Sequence, residues 1–314
     1  MGKRKFVEAA KGQREAVTIQ FDYNDDDAVN LLVEKNEDRQ FRPNTPLVYG
    51  QPIVFDITPA ENFFLDLTRS NFVVEAQITD AAGTAILVAN HVGLCNQFAH
   101  SAFSDILVEL GGKLLNQNTN GMYPYRAYLE TLLSADEDAK NSFHQMEGWY
   151  KDTPSQIGQA DPNAAIDARN VGLFNRKQLF ATGSVYQFML RPHLDIFHQP
   201  RAIPSHTHMR ITLNPSRNSF LLKTADPGED AHGVAIPQVQ YQFHIRQIVF
   251  IADSLAVNKN AVLGLHQSMS TGKNLVYPLR RVDVKQLTIT PNQSVHNFER
   301  VFNGVMPDRL VLNW

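Results

Sequence analysis

The chain has 314 residues, 43% of them hydrophobic, enough to bury about three quarters of its unfolded surface as one large domain or two smaller ones. A formal net charge of −3 excludes a strongly basic nucleic-acid binder, and a single cysteine, Cys95, excludes an intramolecular disulfide framework. No apolar run approaches the ~20 residues of a membrane helix, and Met1-Gly2-Lys3-Arg4-Lys5 lacks the apolar core of a signal peptide, so synthesis in the cytosol is expected.

Residues 1–44 are polar and without periodicity. They read as a tail, either free or lying along a neighbouring subunit. Lys3, Arg4, Lys5, Lys11 and Arg14 form a weak candidate for nucleic-acid contact, because no aromatic platform accompanies them.

From Leu47 the pattern changes. Ile53, Phe55 and Ile57 alternate between Pro52 and Pro59, which predicts a strand near a sheet edge. Phe72, Val74, Ala76 and Ile78 alternate with Val73, Glu75, Gln77 and Thr79, as in a half-buried antiparallel strand. Asp80-Ala81-Ala82-Gly83 has type I turn chemistry and should lead back into a strand at Ile86-Leu87-Val88. Asp105–Leu110 predicts another strand, closed by Gly111-Gly112 in a tight hairpin.

A helical stretch follows. Pro124 suits a first helical turn, and Tyr125, Leu129, Leu132 and Leu133 recur at helical spacing, as on one apolar face. Ser134 and Glu137 have capping-box spacing for a second helix, with Ala139, Phe143 and Met146 on one stripe and Gly148 as a stop. Residues 153–182 are polar and loop-like.

Strands resume at Tyr186, Phe188 and Leu190, then at Met209, Ile211 and Leu213. Tyr241, Phe243 and Ile245 continue on odd numbers, whereas Ile248 and Phe250 are even, so a bulge is expected near Gln247. Residues 254–276 read as a connection. A second strand series is expected at Tyr277–Arg280, Val282/Val284, Leu287/Ile289 and Pro307–Leu312. The class is therefore mostly β, a β-sandwich with one helical insert.

These segments, in order, resemble the double jelly-roll major capsid proteins, above all those of Polinton/Maverick elements and adintovirus-like DNA viruses. The residues concerned are Pro52-Ile53-Val54-Phe55 with Leu65-Asp66-Leu67, the Phe103–Leu115 strand and turn, and Tyr123-Pro124-Tyr125-Arg126-Ala127-Tyr128-Leu129-Glu130-Thr131-Leu132-Leu133 with Trp149-Tyr150-Lys151-Asp152. Then come Leu190–Phe197, Ser205–Leu213, Tyr277-Pro278 with Arg280, and Phe302-Asn303-Gly304 before Pro307-Asp308-Arg309. The resemblance implies two jelly rolls in one chain, with residues 45–253 as the first and 116–182 as its insert. Residues 254–314 become the connection and the start of the second roll, which is expected to be incomplete because the family continues past the point matching Leu310-Val311-Leu312. It also implies a homotrimer forming a pseudo-hexagonal capsomer of an icosahedral shell, contacts with penton and minor capsid proteins, a virion location, no cofactor and no catalysis.

Enzyme motifs point the same way. There is no G-x-S-x-G elbow, and Ser270-Thr271-Gly272-Lys273-Asn274 lacks the spacing of a phosphate-binding loop. His193, His198, His206 and His208 with Asp195 are the densest set of possible ligands. His206 and His208 would share one strand face as in metal-binding cupins, although the cupin's following glutamate is absent, and ordinary hydrogen-bonded histidines are the default. Tyr123, Tyr125, Tyr128, Trp149 and Tyr150 with Arg126 are read either as core packing or as anchors of a subunit contact. Arg126 and Glu130 fall at i, i+4, where an exposed pair contributes little. The rival readings are a carbohydrate-binding jelly roll and a cupin-like metalloprotein.

Overall fold

The computed structural model describes residues 33–115, 121–225, 228–229, 235–236, 239–272, 274–287, 301 and 307–311. The basic residues Lys3 to Arg14, the Phe302-Asn303-Gly304 motif, Ile289 and Leu312 lie outside the described residues.

In chain order the strands are β1 (Val33–Phe41), β2 (Ile53–Ile57), β3 (Phe63–Asp80), β4 (Val92–Leu94), β5 (Phe103–Leu110) and β6 (Lys113–Leu114). They continue with β7 (Tyr186–Leu190), β8 (Met209–Pro215), β9 (Leu222–Thr224), β10 (Gly228–Glu229), β11 (Ala235–Ile236) and β12 (Tyr241–Val257). Two four-stranded antiparallel sheets carry the fold, ordered β1-β12-β3-β7 and β2-β8-β5-β6. From β2 to β3, β3 to β5, β6 to β7 and β7 to β8 the chain passes from one large sheet to the other, as jelly-roll sandwiches do.

Alternation explains why the sheets stack. On β2, Ile53, Phe55 and Ile57 are buried while Val54 and Asp56 are half-buried; β3 buries Phe72, Val74, Ala76 and Ile78 in the same manner. The inner faces meet through aromatic side chains. Phe55 of β2 lies edge-on to Phe72 of β3 with centroids 5.3 Å apart, and Phe72 lies 4.7 Å from Phe250 of β12. The expected bulge is present: Ile245 pairs with Ala76 and Gln247 with Glu75, so Arg246 is the extra residue that switches the apolar parity.

Several expectations are corrected. The stretch read as a polar tail contains β1, laddered to β12 along its length. Its residues, Val33-Glu34-Lys35-Asn36-Glu37-Asp38-Arg39-Gln40-Phe41, are mostly exposed and charged, so the strand is held by backbone pairing that hydrophobic alternation does not register. β12 also runs to Val257, beyond the boundary expected at residue 253. Ile86-Leu87-Val88 forms no strand and makes only isolated bridges, such as Leu87 to Thr182.

The second short helix, Glu137–Lys140, is capped by Asp136, not Ser134; the Asp136 carboxylate accepts from the Ala139 N–H at 2.8 Å. Phe143 and Met146, expected on a packed stripe, are both 42% exposed. Residues 171–178, read as loop, are a helix whose cap Asn170 accepts from the N–H groups of Gly172 and Leu173. Among the described residues no strand follows β12. Residues 274–287 and 307–311 have no ladder partner among the described residues, and Val276, Leu279, Leu287, Leu310 and Val311 are exposed. Alternating apolar residues become a strand only where a neighbouring strand completes the ladder.

Candidate functional site

The insert meets the sandwich through short helices, here α1 (Phe98–Ser101), α2 (Tyr123–Ser134), α3 (Glu137–Lys140) and α4 (Val171–Gln178). Helix α1 is buried throughout, and α2 lies over it with Pro124 in its first turn.

The face that α2 turns inward differs from the expected one. Tyr123, Pro124, Arg126, Ala127 and Thr131 are buried, whereas Tyr125, Tyr128, Leu132 and Leu133 are exposed. The reason is a polar base assembled from distant segments. Arg126, 4% exposed, places Nη2 2.5 Å from Asp195 Oδ1 and Nε 2.9 Å from Glu130 Oε1. Its pair with Glu130 is therefore not an exposed helix pair. Burial would lower the guanidinium's pKa, but the two carboxylates reverse that and raise it.

The network continues from Glu130 Oε2, 2.8 Å from His193 Nδ1. The Tyr123 hydroxyl accepts from the His193 backbone N–H at 3.3 Å and lies 3.0 Å from His100 Nδ1. Glu147, 1% exposed, carries Oε1 3.5 Å from His100 Nε2 and Oε2 2.7 Å from His144 Nδ1. Burial alone would push the Glu147 carboxyl up, yet His100 and His144 beside it hold it well below the usual range. Burial lowers His193.

The Trp149-Tyr150-Lys151-Asp152 motif is a clamp. Arg176 of α4, 2% exposed, donates from Nε to the Leu94 carbonyl at 2.7 Å, from Nη1 to the Tyr150 carbonyl at 2.8 Å, and from Nη2 to Asp152 Oδ1 at 2.8 Å. Trp149 is buried and stacks on Tyr128 with centroids 5.3 Å apart. Lys177 beside Arg176 is fully buried and donates to the Val88 carbonyl at 2.5 Å and to Asn163 Oδ1.

The proposed contact anchors thus divide. Tyr123, Arg126 and Trp149 are buried within the chain; Tyr150 is half-buried; Tyr125 and Tyr128, 48% and 36% exposed, face outward. His206 and His208 do not share a strand face. His206 sits in a turn with φ 61 and β8 begins only at Met209, while His208 faces Asp56 at 3.3 Å. The structure instead gathers His193 with His100 and Glu147. Sequence reasoning missed His100 and Glu147 because each lies on a separate segment with no ligand-like spacing.

No family model matches the chain, and no curated protein matches it. Among solved structures, a chain of the cryo-EM structure of the Sputnik virophage is similar, with a TM-score of 0.51 at 11% identity over 73% of this chain and 49% of that one. The Faustovirus major capsid protein is similar with a TM-score of 0.44 at 14% identity over 75% of this chain and 56% of that one. The mavirus major capsid protein is similar with a TM-score of 0.40 at 12% identity over 77% and 52%. The chain spans about half the length of these solved chains. Over its described sandwich, the protein has the mostly β jelly-roll fold that the sequence resemblance implied, shared with the Sputnik virophage chain.

Proposed function

We propose that this protein is a structural capsid protein that trimerises into pseudo-hexagonal capsomers of an icosahedral shell. The observation that carries the reading is the fold shared with a chain of the Sputnik virophage particle. The kinship with Polinton/Maverick and adintovirus-like proteins is supported by the collinear motifs from Pro52 to Arg309.

On this reading the chain works by self-association and performs no reaction. The outward row of α2, comprising Tyr125, Tyr128, Leu132 and Leu133, with Phe143 and Met146 beyond it, supplies exposed apolar and aromatic surface of the kind that subunit contacts use. Closed threefold symmetry limits growth to a capsomer, and capsomers then join one another and the penton and minor capsid proteins by further contacts. Negative-stain electron microscopy of the purified chain tests this. Threefold particles with a near-hexagonal outline are expected; a uniform field of single-chain particles would oppose it.

A further inference from the structure

Beneath α2, three side chains from separate segments converge: His100 of α1, Glu147, whose Oε2 meets His144 and whose Oε1 accepts from the Arg191 backbone N–H at 3.4 Å, and His193, whose Nδ1 meets Glu130. His100 is fully buried, and with Nδ1 beside the Tyr123 hydroxyl its Nε2 makes no hydrogen bond. Glu147 Oε1 lies 3.5 Å from that nitrogen. A ring nitrogen of His193 completes the set, and the three donor atoms all lie within 4.8 Å of one another. Since His193 Nδ1 is held by Glu130 Oε2 at 2.8 Å, Nε2 is the nitrogen left over; the Thr131 hydroxyl, 3.4 Å away, is a weak competitor for it.

A spacing of 3.5 Å is long for a charged hydrogen bond. It matches two ligands on one tetrahedral ion: donors about 2.0–2.2 Å from zinc stand about 3.4 Å apart. The surroundings also match. Histidines that hold metals give their other ring nitrogen to a carboxylate or another polar group, and here the Glu130 carboxylate serves His193 while the Tyr123 hydroxyl stands beside His100 Nδ1. Three carboxylates, Glu130, Glu147 and Asp195, surround the histidines, with the Arg126 guanidinium paired to two of them and Arg191 beside Glu147. A second trio, Glu130, His193 and His198, has similar spacing, but His198 is exposed and Glu130 already holds Arg126.

We propose that His100 Nε2, His193 Nε2 and Glu147 Oε1 bind a divalent zinc-class ion with water as fourth ligand, pinning the turn before Gly148 and the segment after β7 onto α1. The site goes beyond the assembly reading and does not depend on it.

The test is metal analysis of the chain made without a polyhistidine tag, followed by Zn²⁺ titration against a chromophoric chelator and Co²⁺ substitution read by visible absorption. About one zinc per chain and a cobalt band are expected. Glu147→Gln should lose both, Glu130→Gln should weaken zinc about 10–100-fold, and the double variant His206→Gln/His208→Gln should keep both. Should Glu147→Gln fail to fold, His193→Gln at a half-buried position replaces it, with the same loss expected. Wild-type chain that takes up no zinc at micromolar free Zn²⁺ would overturn the site. So would zinc that survives in Glu147→Gln or His193→Gln but disappears from the His206/His208 variant.

Discussion

Gly148 joins the insert to the sandwich core, and replacing it with alanine gives a measurable estimate of that joint. Its φ is +85, a left-handed conformation, and an added Cβ would stand 2.3 Å from Phe98 Cδ1 and Cε1 and 2.8 Å from Cγ. Phe98 cannot swing aside: it is fully buried and edge-on to Phe180 at 5.5 Å and to Phe188 at 5.3 Å. The left-handed backbone costs an alanine roughly 1–2 kcal/mol, and forcing an extra methyl into a packed core costs about 1–3 kcal/mol more. Gly148→Ala should therefore destabilise the chain by ~2–5 kcal/mol, a large part of the ~5–15 kcal/mol of a typical domain. Urea unfolding followed by tryptophan fluorescence reads this directly, since Trp149 is the adjacent residue. Gly158→Ala is the control: nothing lies within 4 Å of its added Cβ, and its effect should stay within about 0.5 kcal/mol. Equal midpoints for the two variants would refute the packing argument.

Other outcomes follow from the same buried network and from α2. Arg126→Met should cost about 3–5 kcal/mol by stranding two carboxylates, and adding Glu130→Gln with Asp195→Asn should recover part of that loss in the same urea assay; a fully additive loss would contradict the pairing. Burial pushes the Lys177 amine down to about 8 from its ordinary 10.5, so between these values the unfolded chain binds more protons and stability rises with pH. Wild type should gain ~1–3 kcal/mol over Lys177→Met between pH 8 and pH 10, and an unchanged difference between the two proteins would count against the buried amine. Leu133→Asp, at a side chain 55% exposed, should leave the urea midpoint within about 0.5 kcal/mol of wild type while weakening self-association in sedimentation velocity; unaltered association would remove α2 from the contact.

The sandwich was legible where burial alternates. Ile53, Phe55 and Ile57 announced β2, Phe72 to Ile78 announced the middle of β3, and the parity change after Ile245 announced the bulge. The polar strand β1 was not legible, because its backbone ladder to β12 leaves no trace in side-chain hydrophobicity. The orientation of α2 departs from its periodicity for a related reason. Periodicity places Tyr125, Leu132 and Leu133 inward, but the carboxylates that make Arg126 a good interior residue include Asp195, which only the tertiary fold supplies. His100 and Glu147 were invisible for the same cause, and the His206–His208 pair dissolved because a left-handed turn at His206 precedes the strand.

On the proposed function, the chain works by associating with copies of itself. Mass photometry over a range of protein concentrations tests it most directly. A dominant species of three times the 35.4 kDa chain mass is predicted; a single-chain mass persisting at every concentration would contradict it.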